Sequence, residues 1–295
     1  MKYNIILFIS ALAIGFTACN NGETEADAYG NFEATEVTIS AEANGKIEFL
    51  NLEEGDELKA GNLVGLIDTV QLALSKQELL ASEKTIRAKS SGTLSQIAVL
   101  KEQLHTAELE QTRVHNMLKD SAATQRQVDQ ADGQVRTLKQ QINSVQAQNA
   151  PILQELNSVE VQRLKIEDQL KKSKIVNPIN GTVLDKYAEA NEVTAYGRPL
   201  YKIANLDELE LRVYLTQTQL PEIKIGQTVQ VHIDVPDGLK DYEGIVSWIA
   251  SEAEFTPKVI QTKEERVNLV YAVKIKVKND GALKIGMPAE VTFSK

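Results

Sequence analysis

The chain of 295 residues contains one cysteine, Cys19, so a disulfide within the chain is excluded. Aromatic residues make up only 5% of the sequence, with a single tryptophan and three histidines. The formal net charge of -9 argues against nucleic-acid binding, for which a basic surface is expected. The length allows about two domains. Between residues 71 and 172, Gln, Glu, Leu, Val and Ala are abundant, which indicates a long helical section rather than one compact core.

Catalytic and metal-binding motifs are also absent from the sequence. On a helix, His105 and His115 would lie about 15 Å apart along the axis and on different faces, too far apart to share a metal. His232 is isolated in a strand-like run, and the acidic stretch at residues 53–56 is typical of a solvated turn. The sequence has no phosphate-binding Gly-rich loop and no G-x-S-x-G nucleophile elbow. We therefore expect neither enzymatic activity nor a cofactor or metal.

The N-terminus has the layout of a secretory signal peptide, predicted over residues 1–18. One Lys precedes an apolar run from Ile5 to Phe16, and small residues follow immediately before Cys19. The triplet Thr17-Ala18-Cys19 resembles the lipobox of bacterial lipoproteins, in which the Cys thiol is acylated and becomes the mature N-terminus. Phe16 departs from the Leu most typical of that motif, and an ordinary cleaved signal is the alternative. Because the sole Cys is followed by a polar segment, we predict lipidation at Cys19 and a lipidated tether over residues 19–31.

Residues 71–172 contain one proline and two glycines, and their apolar residues recur at heptad spacing. Small and polar residues interrupt the heptads at 119–124, where Thr124 is suited to cap the following helix. Two helical arms, 71–118 and 125–172, are therefore predicted to form an antiparallel coiled-coil hairpin about 70 Å long. One heptad row of the second arm has no gap: Ala131, Leu138, Val145, Ile152, Val159 and Ile166.

Matched arms also predict the register of the hairpin. Reflecting the chain about a point between Ser121 and Ala122 places Ser91-Gly92 opposite Pro151. Both positions weaken a helix, so we expect a shared bend or a loosened layer at that level.

Two similar stretches flank the hairpin, AEANGKIEFL at 41–50 and KIVNPINGTVLDKY at 174–187. Their Asn-Gly pairs, at 44–45 and 180–181, are 136 residues apart. Each copy predicts a strand, an Asn-Gly turn, a strand, a polar turn and a further strand. A half-module of about 35 residues is too small to bury a core, so the copies should pair into one domain with approximate twofold symmetry. The same offset aligns further pairs: Asp56 with Glu192, Gly61 with Gly197, and Ile67 with Ile203.

The C-terminal part contains several strand-like runs, with residues 217–223 as a candidate short helix at the mouth of a barrel. An unspecified β-sandwich is the alternative. The runs are 209–215, 228–235, 242–250, 269–277 and 289–293.

These segments together resemble the HlyD-like membrane fusion proteins, the periplasmic adaptors of bacterial efflux and secretion systems. Residues 37–68 and 175–213 are similar to the two halves of that family's lipoyl-like domain. Residues 255–277 and 283–291 are similar to its β-barrel domain, in particular that of adaptors serving ABC-type exporters. The resemblance covers nearly all of the mature chain, in the order of the family's segments.

The resemblance implies an elongated, multidomain α+β fold. A split lipoyl-like domain, of the barrel-sandwich hybrid type, holds an inserted antiparallel coiled-coil hairpin and is followed by a β-barrel domain. The expected boundaries are 32–70 for the first lipoyl-like half, 71–172 for the hairpin with its tip at 119–124, 173–205 for the second half, and 206–295 for the barrel.

By the same resemblance, the protein is expected to link an inner-membrane transporter to a TolC-type outer-membrane channel without catalysing a reaction. Because the chain stops where the barrel ends, without a further membrane-proximal domain, an ABC exporter is the expected partner, and MFS or RND pumps are the alternatives. Self-association as a hexamer is expected. The expected location is the periplasm of a Gram-negative bacterium, with the lipid anchor in the inner membrane.

The resemblance also implies a docking site at the hairpin tip. In adaptors that dock on TolC-type channels, the tip carries an Arg, three intervening residues, a Leu, six intervening residues and a Ser. Arg113, Met117 and Thr124 occupy these positions, with Met for Leu and Thr for Ser as departures. The apolar residue would enter a groove on the channel while Arg and the hydroxyl bond to polar groups. The alternative is a generic amphipathic helix end.

Two other classes of function remain as alternatives, a carrier enzyme and a lipoprotein scaffold. Lipoyl and biotinyl carriers present a modified Lys on a tight hairpin between their half-motifs, but here the coiled coil occupies that junction. A free-standing lipoprotein scaffold, whose coiled coil only oligomerises or spaces membranes, would lack contacts with a transporter. Co-purification of a transporter distinguishes the scaffold from the adaptor.

Overall fold

The computed structural model describes residues 26–236, 238–255 and 269–293. The chain divides into two compact units, one comprising residues up to Val37 together with Ala204 onward, and the other Thr38–Ile203. Cys19 lies outside the described residues. Across the described ranges, no helix combines the length and apolar character that crossing a membrane requires.

Two long helices form the hairpin. Helix α1 spans Val70–Lys119 and helix α2 spans Gln125–Lys172, with 50 and 48 residues. At 1.5 Å per residue each helix is about 70–75 Å long. Most of the predicted heptad positions in the tip-proximal half of α2 are buried, so the seam is the apolar interface that the spacing indicated. The buried apolar residues of α2 are Val128, Val135, Leu138, Ile142, Val145 and Ile152.

Contacts between the helices follow the predicted reflection. Lys76 Nζ lies 3.0 Å from Glu167 Oε1, and Gln111 Nε2 donates to Asp132 Oδ1 at 2.8 Å. Both pairs join residues at equal distances from the point between Ser121 and Ala122. The two helices therefore pack in the register that was predicted from the equal lengths of the two arms.

A shared bend or a loosened layer was predicted at the level of Ser91-Gly92 and Pro151. Both helices continue without a break through these residues. The adjacent layer is polar, because buried Ser90 donates through Oγ to Asn149 Oδ1 at 3.0 Å. Packing along the seam outweighs the local helix-weakening residues, since most helical stability in proteins comes from tertiary contacts.

The β domain that carries the hairpin has two four-stranded sheets, with orders β2-β9-β7-β4 and β6-β5-β3-β8. Each sheet takes two strands from before the hairpin and two from after it. The 136-residue offset converts one sheet into the other, so the domain has the approximate twofold symmetry that the repeat predicted. The strands are β2 Glu36–Ser40, β3 Gly45–Leu50, β4 Glu57–Leu58, β5 Leu63–Ile67, β6 Lys174–Val176, β7 Gly181–Lys186, β8 Val193–Thr194 and β9 Pro199–Ala204.

The Asn-Gly pairs do not form hairpin turns, contrary to expectation. Strands β2 and β3 belong to different sheets, so the chain crosses between sheets at Asn44. The Asn44 side chain accepts a hydrogen bond from Tyr196 N at 2.7 Å, and Asn180 accepts one from Ala60 N at 2.8 Å. Each Asn therefore holds the polar turn of the other half, and the two bonds are related by the same offset.

Backbone hydrogen bonds between the halves are also reciprocal. They occur in pairs related by the offset, so neither half completes its own ladder. Ile47 N donates to Glu192 O at 2.8 Å and Val183 N to Asp56 O at 2.9 Å, while Gly197 N donates to Ala41 O and Gly61 N to Asn177 O, both at 2.8 Å.

Asn177 is fully buried between the two halves of the β domain. Its amide donates to Lys59 O at 3.1 Å and also to Ile179 O. Its side-chain oxygen accepts from the Tyr201 hydroxyl at 3.1 Å. Burial raises the pKa of Tyr201 to about 12, so this phenol remains a donor throughout the physiological range.

The other unit is a closed antiparallel barrel. Its strands follow the order β10-β1-β15-β11-β12-β14, a β10–β14 pairing closes the ring, and β13 pairs with β14 outside the ring. Alternating side chains fill the interior, including Phe32, Leu211 and Ile275. A single 3-10 turn at Leu220–Glu222 lies where the short helix was expected. The strands are β1 Ala28–Glu33, β10 Glu208–Thr216, β11 Thr228–Val235, β12 Gly238–Ile249, β13 Glu254–Phe255, β14 Leu269–Lys278 and β15 Pro288–Thr292.

Strand β1 corrects the predicted end of the tether at residue 31 and the start of the lipoyl-like domain at residue 32. Residues 28–33 pair with β10 and β15 and belong to the barrel. Ala28 and Phe32 point into the core. A Cβ on Gly30 would lie 1.9 Å from Arg212 O, so only glycine allows this close approach. The segment was missed because AYGNFE offers a single bulky apolar anchor.

We predict that Asn177→Ala destabilises the hairpin-bearing β domain by about 2–4 kcal/mol, because it leaves buried polar partners unpaired. Urea unfolding combined with hydrogen exchange at β5 and β9 measures the effect. The matched control is Asn44→Ala, which removes one exposed hydrogen bond and should cost about 1 kcal/mol or less. Equal losses in the two variants would contradict the central role of Asn177.

Candidate functional site

The candidate site is the turn that joins α1 to α2. Ala122 N donates to Met117 O at 2.7 Å and Ser121 N to Leu118 O at 3.0 Å. Ser121 has a φ of 57°, in the left-handed region. These features define a Schellman motif, which ends α1 and reverses the chain within a few residues. The turn thereby fixes Met117 relative to the start of α2.

Arg113 and Met117 lie one helical turn apart on the same face of α1. Arg113 Nη1 is 2.9 Å from Glu110 Oε2, and the two side chains are 70% and 53% exposed. An ion pair so exposed contributes little stability, so the guanidinium remains available to a partner. Met117 is 39% exposed, which leaves an apolar side chain in water beside that cation.

Thr124 is the N-cap of α2. Its hydroxyl donates to Gln127 Oε1 at 2.9 Å, accepts from Gln127 N at 3.4 Å, and its own N–H donates to Gln127 Oε1 at 2.8 Å. This reciprocal arrangement is a capping box. The hydroxyl of Thr124 therefore already donates its proton within the chain. Toward a binding partner it can act only as a hydrogen-bond acceptor.

A polar network ties the two helices together just below the tip. Gln111 Nε2 donates to Asp132 Oδ1, and His115 Nε2 lies 2.8 Å from the same oxygen. The hydrogen bond from Gln111, then that from His115, hold the pKa of Asp132 below its ordinary value, and Arg136 adds a smaller electrostatic effect. Asp132 lies outside the heptad rows, so periodicity could not identify this network.

Near the tip, polar contacts therefore add to the apolar seam, where Val128 and Val135 remain buried. The buried cluster of Ile97, Ile142 and Val145 lies farther along the hairpin, with Leu100 and Leu104 packed against it. Near the tip, Glu108 and Lys139 add an interhelical ion pair at 3.0 Å. A tip joined by directional bonds holds the exposed face of Arg113 and Met117 in one orientation.

The sequence indicated that His232 is isolated, but in the structure it has two side-chain partners. Its Nδ1 lies 2.6 Å from Asp241 Oδ1 and its Nε2 lies 3.1 Å from Thr292 Oγ1. The order resembles a hydrolase triad, but these residues lie on three strands whose ladders use the backbone N–H groups that an oxyanion hole would need. We interpret the network as a cross-strand stabiliser. Within the described ranges, no cluster of three or more His, Cys, Asp or Glu is arranged to hold a metal.

Comparison with known proteins places the fold. No protein-family model matches the chain. The "UPF0194 membrane protein in asrC 5'region" of Acidithiobacillus ferridurans is 24% identical over 313 residues, covering 97% of this chain and 92% of that protein. The crystal structure of MacA from Actinobacillus actinomycetemcomitans has a TM-score of 0.54 at 19% identity, covering 90% of this chain and 76% of that chain.

The structure of the periplasmic adaptor protein EmrA has a TM-score of 0.47 at 17% identity, covering 91% of this chain and 98% of that chain. The likeness to MacA shows the fold. The fold class predicted from the sequence is confirmed, and the resemblance on which it rested is confirmed at the level of the fold.

We predict that removing either hydrogen-bond donor, by Gln111→Ala or by His115→Ala, raises the pKa of Asp132 toward its ordinary value. Because folding lowers this pKa, the stabilisation is complete above the unfolded value, near pH 4. It is lost as the pH falls through the folded value. NMR titration of the Asp132 carboxyl carbon measures the pKa. An unchanged midpoint in both variants would show that the network does not hold the carboxylate.

Proposed function

We propose that this chain is a non-enzymatic periplasmic adaptor that links an inner-membrane transporter to a TolC-type outer-membrane channel for efflux or secretion. The observation that carries the proposal is the insertion of a hairpin about 70 Å long into a β domain built from both flanking halves. Such a hairpin has no catalytic geometry at its tip, and its exposed residues suit binding rather than chemistry.

The base of the hairpin supports a bridging role, because both helices are held where they leave the β domain. Ile67 N, just before α1, donates to Ser173 O, just after α2, at 2.8 Å. Nearby, Lys186 is almost fully enclosed and pairs with Glu53 at 3.0 Å and Glu189 at 2.8 Å. A force applied at the hairpin tip is therefore transmitted to both halves of the β domain, as expected for a protein that connects two partners.

The partner at the tip is proposed to be a TolC-type channel. The proposal rests on the spacing of Arg113, Met117 and Thr124 and on the exposure of the first two side chains. An exposed Met fits an intersubunit groove, and an Arg with a weak surface partner can exchange that partner for a carboxylate or carbonyl on the channel.

An ABC exporter is the proposed transporter, supported by the resemblance of residues 255–277 and 283–291 to the barrels of such adaptors. Residues 256–268 lie outside the described part of the chain. Adaptors of MFS or RND pumps are the second candidate, and a lipoprotein scaffold without a transporter is the third. Isolation of the tagged protein with a transporter from membranes separates the adaptors from the scaffold.

The proposed location is the periplasm, with acylated Cys19 in the inner membrane of a Gram-negative bacterium. Self-association, as a hexamer, would place several hairpin tips in a ring that matches a multimeric channel. Multiple weak tip contacts then sum to stable docking through effective concentration.

We predict that Arg113→Asp weakens tip-to-channel cross-linking at least tenfold, about 1.4 kcal/mol, because a carboxylate then stands beside Glu110 and repels acidic groups. Site-specific cross-linking in cells measures docking. The matched control is Arg87→Asp on the same helix, where Arg87 is 59% exposed and pairs with Glu83 far from the tip. If Arg113→Asp cross-links as well as the control, the docking assignment fails.

We predict that Cys19→Ser abolishes acylation and releases the protein from the inner membrane, because Cys19 is the only cysteine in the chain. Mass spectrometry of the mature N-terminus and membrane fractionation provide the measurement. The mature wild-type protein should begin at Cys19 and carry the acyl groups. A wild-type N-terminus without lipid would contradict the anchor while leaving the tip assignment open.

A further inference from the structure

Exposed large apolar side chains are unevenly distributed over the barrel. Among its described residues, two such side chains, Leu239 and Ile285, lie at the end where β1 finishes. The others lie in the half where β1 begins. They are Tyr29, Ile225, Ile245, Trp248 and Leu269, with exposed fractions of 58%, 67%, 51%, 40% and 56%.

Strand registers place these side chains at one end. In β1, Ala28 pairs with Val291, and the end of β15 lies beside the start of β11, where Gln230 pairs with Thr292. Farther round the ring, Thr228 pairs with Ile245. Trp248 follows Ile245 toward this end of β12, and we name Ile225, Trp248 and Leu269 the anchor-side rim.

The turn containing Ile225 is part of this rim. Gly226 N donates to Val246 O at 2.8 Å, which holds the turn against β12. Gly226 has a φ of 88°, so the turn projects Ile225 at its corner. Leu269 reaches the rim from β14, because Val270 pairs with Thr216 at the end of β10.

The N-terminal tether ends at the same rim. Asp27 N donates to Val291 O at 2.9 Å, and its carboxylate accepts from Phe293 N at 2.8 Å. Seven residues lie between Cys19 and Asp27, so even a fully extended tether spans no more than about 30 Å. If Cys19 is acylated, as the proposed function requires, the rim is held within that distance of the bilayer.

We propose that the anchor-side rim contacts the lipid surface of the inner membrane, with Trp248 at the level of the headgroups. Tryptophan favours this interface because its ring is apolar and its indole N–H is polar. The charged residues close to the rim in sequence are mainly acidic, with Glu222, Glu252 and Glu254 against Lys224. The contact is therefore apolar and interfacial rather than a basic patch attracted to anionic lipid. This inference rests on the lipid anchor of the proposed function.

Trp248 is the only tryptophan of the chain, so its fluorescence reports this rim alone. The test reconstitutes the mature acylated protein into phosphatidylethanolamine–phosphatidylglycerol vesicles, with or without brominated lipid as a quencher. We expect brominated lipid to roughly halve the emission of Trp248. Ile225→Glu should reduce the quenching, because a carboxylate at the turn disfavours contact with lipid.

A matched probe sits on the same strand. The double variant Trp248→Phe with Leu239→Trp moves the single tryptophan nine residues along β12, about 30 Å away. Leu239 is also exposed, so the two positions are comparable as probes. The probe at position 239 should remain unquenched, because it lies at the other end of the barrel. Equal quenching at both positions, or no quenching at Trp248, overturns the proposal. Shielding of Trp248 only after addition of the transporter also overturns it, because the rim would then bind protein.

Two further measurements separate this inference from the proposed function. A histidine tag at Asn20 on nickel-chelating lipid holds the chain at a similar distance without acylation, and quenching there supports the rim even if Cys19 proves unmodified. Tip-to-channel cross-linking in the rim variants is the second measurement. Loss of quenching in wild type together with intact cross-linking overturns the rim contact and leaves the adaptor function standing.

Discussion

The structure depends on one constraint, which is that neither half of the β domain can satisfy its own backbone. Both sheets combine two strands from before the hairpin with two from after it, and the bonds between Ile47 and Glu192 and between Val183 and Asp56 are images of each other. Buried Asn177 completes the interlock by bonding to both halves at once. Because unpaired buried backbone groups are costly, the halves are stable only together. The feet of both helices are fixed as a result, and a long hairpin becomes a rigid projection rather than a loose insertion.

Repetition and heptad spacing in the sequence predicted this architecture well. The 136-residue offset identified which residues would be equivalent, and the reflection about the tip identified which would be opposite, because both rest on periodicities that burial enforces. The function of Asn44 and Asn180 could not be predicted in the same way. Asn-Gly usually indicates a hairpin turn, but here the side chains bind the turn of the opposite half, a contact that exists only after the halves meet. Strand β1 was missed for a similar reason, since its identity depends on a backbone approach at Gly30 that has no local signal.

The candidate site shows the same division between local and tertiary information. The break in the heptads placed the turn at residues 119–124, the resemblance to the family's tip pattern selected Arg113, Met117 and Thr124, and the cap at Thr124 follows from residue type. The network of Gln111, His115 and Asp132 depends on the two helices lying side by side, so it is visible only in three dimensions. The tip combines an apolar residue and a cation on a surface held by directional bonds. This arrangement suits recognition of a fixed, complementary surface better than adaptation to many partners.

The position of β1 in the barrel has a consequence for how the chain acquires its structure. Its two neighbours, β10 and β15, are formed by residues 208–216 and 288–292, so the ring cannot close until nearly the entire chain is available. Such distant pairings form slowly because a long loop must first be closed. The hairpin needs only the short turn at its tip and can form while the rest of the chain is still arriving. Folding order is thus opposite to chain order for β1, which lies near the start of the chain and is among the last strands to find its partners.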